Sequence, residues 1–105
     1  MSTSPAFRRL RADVLSLLHD VPAGRVTTYG TLADHLGVSP RQVARVMASL
    51  SEGESEGVPW HRVVGAGGSI RTPGHRQADR LRREGVTVND RNAVENFARL
   101  LFTPQ

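Results

Sequence analysis

Two short amphipathic segments in TTYGTLADHLGVSPRQVARVMASL meet at a tight turn, and that spacing constrains the fold more than any other feature of the chain. Thr28 is placed to cap a helix that ends at Gly37, with Leu32, Ala33 and Leu36 facing inward. Ser39-Pro40-Arg41-Gln42 then has the Ser-x-x-Gln form in which side chain and backbone cap each other, with proline at the first helical position. Val43, Val46, Met47 and Leu50 carry that helix onward at helical spacing. The pattern predicts a helix-turn-helix whose second helix turns Arg41 and Arg45 outward, although a plain helical hairpin has the same pattern.

The flanking stretches fill in a small fold. Ser4 and Pro5 open a first helix, with Phe7, Leu10, Val14, Leu17 and Leu18 at helical spacing, and it is expected to run to about Asp20. Val21-Pro22-Ala23-Gly24 stops it, and Arg25-Val26-Thr27 reads as extended. Ser51 to Gly57 is polar and acidic without periodicity and reads as a mobile loop. Val58 to Val64 and Ser69-Ile70 flank Gly65-Ala66-Gly67-Gly68, which predicts a β-hairpin or wing. His75 to Glu84 reads as a helix with a basic face of Arg76, Arg80, Arg82 and Arg83, ending at Gly85. A brief strand is expected around Val86 to Val88, followed by Val94, Phe97, Ala98 and Leu101 at helical spacing. The expected fold is mainly α with a small β-hairpin, a winged-helix-like helix-turn-helix domain occupying residues 1–105 as one unit with one modest core.

Composition narrows the chemistry. The chain has no cysteine, so disulfides, thiolate metal sites and cysteine nucleophiles are excluded. His19, His35 and His75 lack metal-ligand spacing, and neither a metal nor a cofactor is expected. Fourteen arginines and no lysine stand against ten carboxylates, for a net charge of +4. Guanidinium forks pair with phosphates and stack on bases, so this surface suits nucleic acid, although a solvated arginine face would have the same composition. No apolar run approaches the roughly 20 residues of a membrane span, and MSTSPAFRRLRADV lacks the layout of a secretory signal. A cytoplasmic protein is expected, nucleoid-associated if bacterial.

The ordered series VPAGRVTTYGTLADHLG, RQVARVM, PWHRVV and DRLRREGV, from about Val21 to Val88, resembles the DNA-binding domain of the DNA alkylguanine alkyltransferases. In those enzymes the cysteine of a Pro-Cys-His-Arg motif accepts the alkyl group of O6-alkylguanine. Trp60 stands at that position here, which is the mark of the alkyltransferase-like proteins. The resemblance implies a non-enzymatic sensor of damaged duplex DNA. Such a sensor binds through the third helix in the minor groove, flips O6-alkylguanine into a pocket under Trp60, and marks the lesion for nucleotide excision repair proteins. A monomer is expected.

The resemblance also assigns residues. Tyr29 matches a tyrosine that presses on the target phosphate, and Arg41 matches the arginine finger that fills the gap left by the flipped base, with Gln42 and Arg45 beside it. Arg45 is a rival for the finger role, because the family's Arg-Gln-Val-Gly run ends here in Ala44 and the turn after Gly37 is shorter. The lesion pocket is assigned to Trp60, Tyr29, Val63 and Arg71. Arg71 stands in for a closing residue, since Arg71-Thr72-Pro73-Gly74 has no tyrosine. The asparagine that often follows this helix is also missing from SLSEGESEG. His61, Arg62 and Glu84 match the enzymes' activating network, and with indole in place of thiol they are left a structural role. Two other functions compete: a winged-helix transcription regulator reading the major groove, and an alkyltransferase using Ser69 or His61. The first leaves PWHRVV and Tyr29 unexplained, and the second lacks an activated nucleophile.

Overall fold

Helix α1 (Pro5–His19) begins where Ser4 accepts the Phe7 N–H, and α2 (Tyr29–Leu36) begins where Thr28 accepts the Thr31 N–H at 2.9 Å. These elements belong to a computed structural model that describes residues 4–105. Gly37 closes α2 in the left-handed region at φ 70°, a conformation that glycine adopts without strain. Helix α3 (Pro40–Ala48) opens with the reciprocal cap: Gln42 N–H donates to Ser39 Oγ at 3.2 Å, and Ser39 N–H donates to Gln42 Oε1 at 2.9 Å. The three helices enclose one core of Val14, Leu18, Leu32, Ala33, Val43, Val46 and Val63.

The segment expected to be a mobile loop is helical. Helix α4 (Glu52–Gly57) starts with a second capping box, in which Glu54 N–H donates to Ser51 Oγ at 3.1 Å and Ser51 N–H to Glu54 Oε1 at 3.0 Å. Glu52 and Glu54 also lie in its first turn, where carboxylates complement the helix dipole. Ser-x-x-Glu was therefore a start signal, obscured by two glycines and the absence of an apolar stripe.

The expected hairpin is a different pairing. A 3-10 turn over Trp60–Arg62 leads into β2 (Val63–Val64), which pairs in parallel with β1 (Thr27–Thr28) in the register Thr27 to Val63 and Thr28 to Val64. All four residues are buried, as a short parallel pair covered on both faces requires. After a second 3-10 turn, Ala66–Gly68, the chain does not return along β2. Ser69 bridges Ala93 instead, and Ile70 N–H donates to Asn92 O at 2.9 Å. Gly68 lies so close to this tail that a Cβ there would meet Val94 O at 3.1 Å. Val88 forms only an isolated bridge to Val94, and α6 is confined to Phe97–Leu100, because Leu101 bridges Val26.

Helix α5 (Arg76–Arg83) buries Gln77, Ala78 and Leu81, and with Val26, Val64, Ile70, Val86, Val88 and Val94 it forms a second core. Consecutive strand side chains point to opposite faces, so Val63 enters the helical core and Val64 the other. Gln77 pins the junction by donating from Nε2 to His61 O at 3.0 Å and Val63 O at 2.8 Å.

Glu84, at the end of α5, gathers the elements around the Trp60 turn. Its carboxylate accepts from Arg62 Nε at 3.0 Å, from His61 Nε2 at 3.0 Å and from the Gly24 N–H at 3.4 Å. Arg62 also donates to Val21 O at 2.8 Å. Burial alone would raise the Glu84 carboxyl, but the hydrogen bonds from Arg62 and His61 outweigh it and hold it at about 2. Burial lowers the His61 imidazole, with Arg62 and Arg80 adding to the effect against the pull of Glu84. A neutral ring donates Nε2–H to Glu84, and the buried Nδ1 is left without a partner among the described residues.

A carboxyl held below its ordinary 4.5 stabilises the fold above that value, and the contribution is lost as pH falls toward 2. Glu84→Gln should therefore lower unfolding free energy at pH 7 by about 2 kcal/mol, by weakening a charged acceptor of several donors. Urea denaturation of both proteins between pH 7 and pH 2.5 checks this: the difference should shrink on acidification, and a gap independent of pH contradicts the role given to the charge.

Candidate nucleic-acid interface

Pro59 and the 3-10 turn deliver Trp60 to a half-buried position rather than into either core. Two guanidinium groups from α5 flank the indole, Arg76 at 5.7 Å and Arg80 at 5.5 Å from its ring centre. They lie one helical turn apart, as i, i+4 neighbours do. His61 meets the same ring edge-on, with centroids 6.2 Å apart and planes at 86°. The buried indole Nε1 has no hydrogen-bond partner among the described residues.

Trp60 forms part of the wall of a cavity of about 330 Å³, together with Tyr29, Met47, Glu52, Ser55, Thr72 and Arg76. A wider groove of about 470 Å³ is lined by Tyr29, Pro40, Arg41, Gly65, Ala66 and Arg71. Tyr29 and Ala44 border both, so the cavity beside the indole and the groove that carries Arg41 are neighbours with a common wall. Tyr29 owes this place to the Thr28 cap, which starts α2 directly from β1. Burial raises the phenol pKa against the opposing charge of Arg71, which keeps the hydroxyl protonated as a donor.

The expected site residues separate into groups. Trp60, Tyr29, Arg41 and Arg71 come together along the cavity and groove. Arg71 lies across Gly65, where an added Cβ would come within 2.9 Å of the guanidinium Nε and 3.2 Å of Ser69 O. Arg45 points elsewhere: its guanidinium sits 4.6 Å over the Phe7 ring, on the α1 side of α3. Gln42 is exposed, but its amide oxygen is engaged in the helix cap. Val63 lines neither the cavity nor the groove; strand alternation turns it into the helical core, where it is 1% exposed. His61, Arg62 and Glu84 form the hydrogen-bonded cluster behind the Trp60 turn.

Several wall residues were not singled out from the sequence as belonging to the site. Arg76 and Thr72 follow the second 3-10 turn, and nothing local marks them as neighbours of Trp60, although Arg76 belongs to the basic face already visible on α5. Glu52 and Ser55 reach the cavity because α4 is a helix, and the Ser51 capping box was the signal for that.

The arrangement offers a half-buried indole with two guanidinium groups near it, an adjoining arginine-lined groove and a neutral phenol in the wall they share. Such a surface can stack a base and contact phosphates. Residues 9–86 match the family of the 6-O-methylguanine DNA methyltransferase DNA-binding domain. The chain is 40% identical over 88 residues to the DNA base-flipping protein of Escherichia coli K12, covering 78% of this chain and 66% of that one. It is 38% identical over 76 residues to alkyltransferase-like protein 1 of Schizosaccharomyces pombe, covering 66% and 68% of the two chains. The crystal structure of S. pombe Atl1 in complex with damaged DNA containing O6-carboxymethylguanine superposes with a TM-score of 0.78 at 29% identity, over 98% of this chain and 100% of that one. A chain without cysteine, with Trp60 in the Pro-x-His-Arg motif and these relatives, belongs to the 6-O-methylguanine DNA methyltransferase DNA-binding-domain family, among its alkyltransferase-like members.

Proposed function

We propose that this protein is a lesion sensor: it binds duplex DNA, rotates an O6-alkylated guanine into the cavity beside Trp60, and holds it without removing the alkyl group. The observation that supports the reading is that an arginine-lined groove and a cavity walled by an indole instead of a thiol lie side by side, with Tyr29 and Ala44 as their shared wall. Extruding a base costs a few kcal/mol of stacking and pairing, and an alkylated guanine that pairs poorly lowers that cost. The Trp60 face then offsets part of it by apolar contact.

Each residue has a physical role in that sequence of events. α3 enters the minor groove as in the family, and Arg41 fills the space vacated by the base, being the α3 arginine that lines the groove with Tyr29 and Arg71. The arginine over Phe7 is Arg45, whose guanidinium braces α3 against α1. The protonated Tyr29 hydroxyl meets the target phosphate, and Arg71 closes on the flipped base by stacking. The reading has no transfer step, and two features support it: the chain holds no cysteine to accept an alkyl group, and the His61 Nε2–H is directed to Glu84. A complex that never turns over persists, and we infer that nucleotide excision repair proteins are the partners that read it. The protein acts as a monomer in the cytoplasm, or on the nucleoid of a bacterium.

The protein should bind a duplex carrying O6-methylguanine more tightly than the same duplex with guanine, and mass spectrometry should find the protein unchanged and the lesion intact. A protein heavier by one methyl group overturns the sensor reading, and equal affinity for the two duplexes favours a sequence-reading regulator. Trp60→Ala should reduce the lesion preference roughly tenfold through loss of stacking area; an unchanged ratio would remove Trp60 from the site.

Arg41→Ala should weaken lesion binding several-fold more than binding to undamaged duplex, because the vacated space exists only in the flipped state. Arg45→Ala should leave that ratio unchanged. If Arg41 contacts only phosphate, both affinities fall by one factor and the salt slope drops by about one unit, which a titration over ionic strength distinguishes.

A further inference from the structure

We propose, building on the lesion-sensor reading, that α4 is the wall of the Trp60 cavity that sets adduct size, and that Arg11 on α1 is the positioning residue that holds this wall in place. Six residues make a helix too short to persist by itself, and α4 buries none of its side chains. A Cβ added at Gly53 or Gly57 would meet nothing within 4 Å, so no close packing holds the helix there. Its position depends on polar contacts at its start.

Those contacts converge on one carboxylate. Glu54 Oε1 accepts from the Ser51 N–H and completes the capping box, while Oε2 accepts from Arg11 at 2.5 Å. The same guanidinium donates through Nε to Ser49 Oγ at 3.0 Å, and Ser49 is the residue that caps the end of α3. Arg11 therefore ties α1 to the end of α3 and the start of α4, using the planar geometry of its fork. The hydrogen bond from Arg11, with that from the Ser51 backbone, holds the Glu54 carboxyl at about 2, so the clamp stays charged across the physiological range.

The opposite side of the helix is the functional one. Glu52 and Ser55, three residues apart and on one face, line the cavity across from Trp60, Thr72 and Arg76. A clamped α4 presents a fixed wall that suits a small alkyl group. An unclamped α4 swings outward and admits a larger one, while the small adduct loses contact.

The test measures affinity for one duplex carrying guanine, O6-methylguanine or O6-benzylguanine, with wild-type protein, Arg11→Ala and Glu54→Gln. The Glu54→Gln change keeps the capping box in its Ser-x-x-Gln form, so α4 still forms while the ion pair is lost. Both variants should shift the methyl-to-benzyl affinity ratio toward benzyl, by about fivefold. Affinity for undamaged duplex should move slightly and in opposite directions, because one variant removes a positive charge and the other a negative one. A ratio unchanged in both variants, or a ratio that follows the sign of the charge change, overturns the wall assignment while the lesion reading stands. Wild-type protein that binds all three duplexes alike overturns the lesion reading, and the wall with it.

Discussion

The Glu84 carboxylate is the interaction on which the position of Trp60 depends. It draws Arg62, His61 and the Gly24 amide to a single point, joining the end of α5, the loop before β1 and the turn that carries the indole. His61 donates to this carboxylate through Nε2 and is buried, which lowers its basicity. The same constellation beside a thiol could activate a nucleophile; here its hydrogen bonds hold the turn that carries an indole. Two arginines of the same α5 helix then flank the indole that Glu84 positions.

Two small cores meet at β2, and this division explains how so short a chain can present a cavity at all. Val63 belongs to the helical core and Val64 to the core built on α5, while Trp60, just before them, is left at the seam. α3 contributes to the seam in the same two-sided way. Val43 and Val46 face inward, while Arg41 and Arg45, one turn apart on the exposed side, reach different neighbours: Arg45 lies over Phe7 and Arg41 lines the groove. A single helix thus supports the core, braces itself against α1 and offers one arginine to a ligand.

Features encoded by local chemistry were legible in the sequence. Ser4, Thr28 and Ser39 each cap the helix their position implied, and Gly37 takes the left-handed conformation its place required. Pairings between distant segments were not legible. Val63 and Val64 meet Thr27 and Thr28 in parallel, and Ser69 meets Ala93, where adjacency along the chain suggested a hairpin. The assignment of Val63 to the pocket failed for a related reason, since the two-residue period of a strand decides which core each valine enters and no sequence pattern two residues long reveals it. α4 was hidden by Gly53 and Gly57, which break any apolar stripe, although Ser51 and Glu54 carried a complete start signal. The α4 wall of the cavity was missed as a consequence, while Trp60, Tyr29, Arg41 and Arg71, which the motif order singled out, line the cavity and the groove.

Extrusion of the target base is the central claim, and a fluorescent base analogue reports it most directly. With 2-aminopurine placed as the neighbour of an O6-methylguanine in duplex DNA, loss of stacking on extrusion should raise the emission as protein is added, in proportion to the bound fraction. The same duplex with unmodified guanine should give a much smaller rise at equal saturation. Saturating binding to the lesion duplex with no increase in emission would contradict the account, because the protein would then be holding the lesion within the helix and the cavity beside Trp60 would be empty.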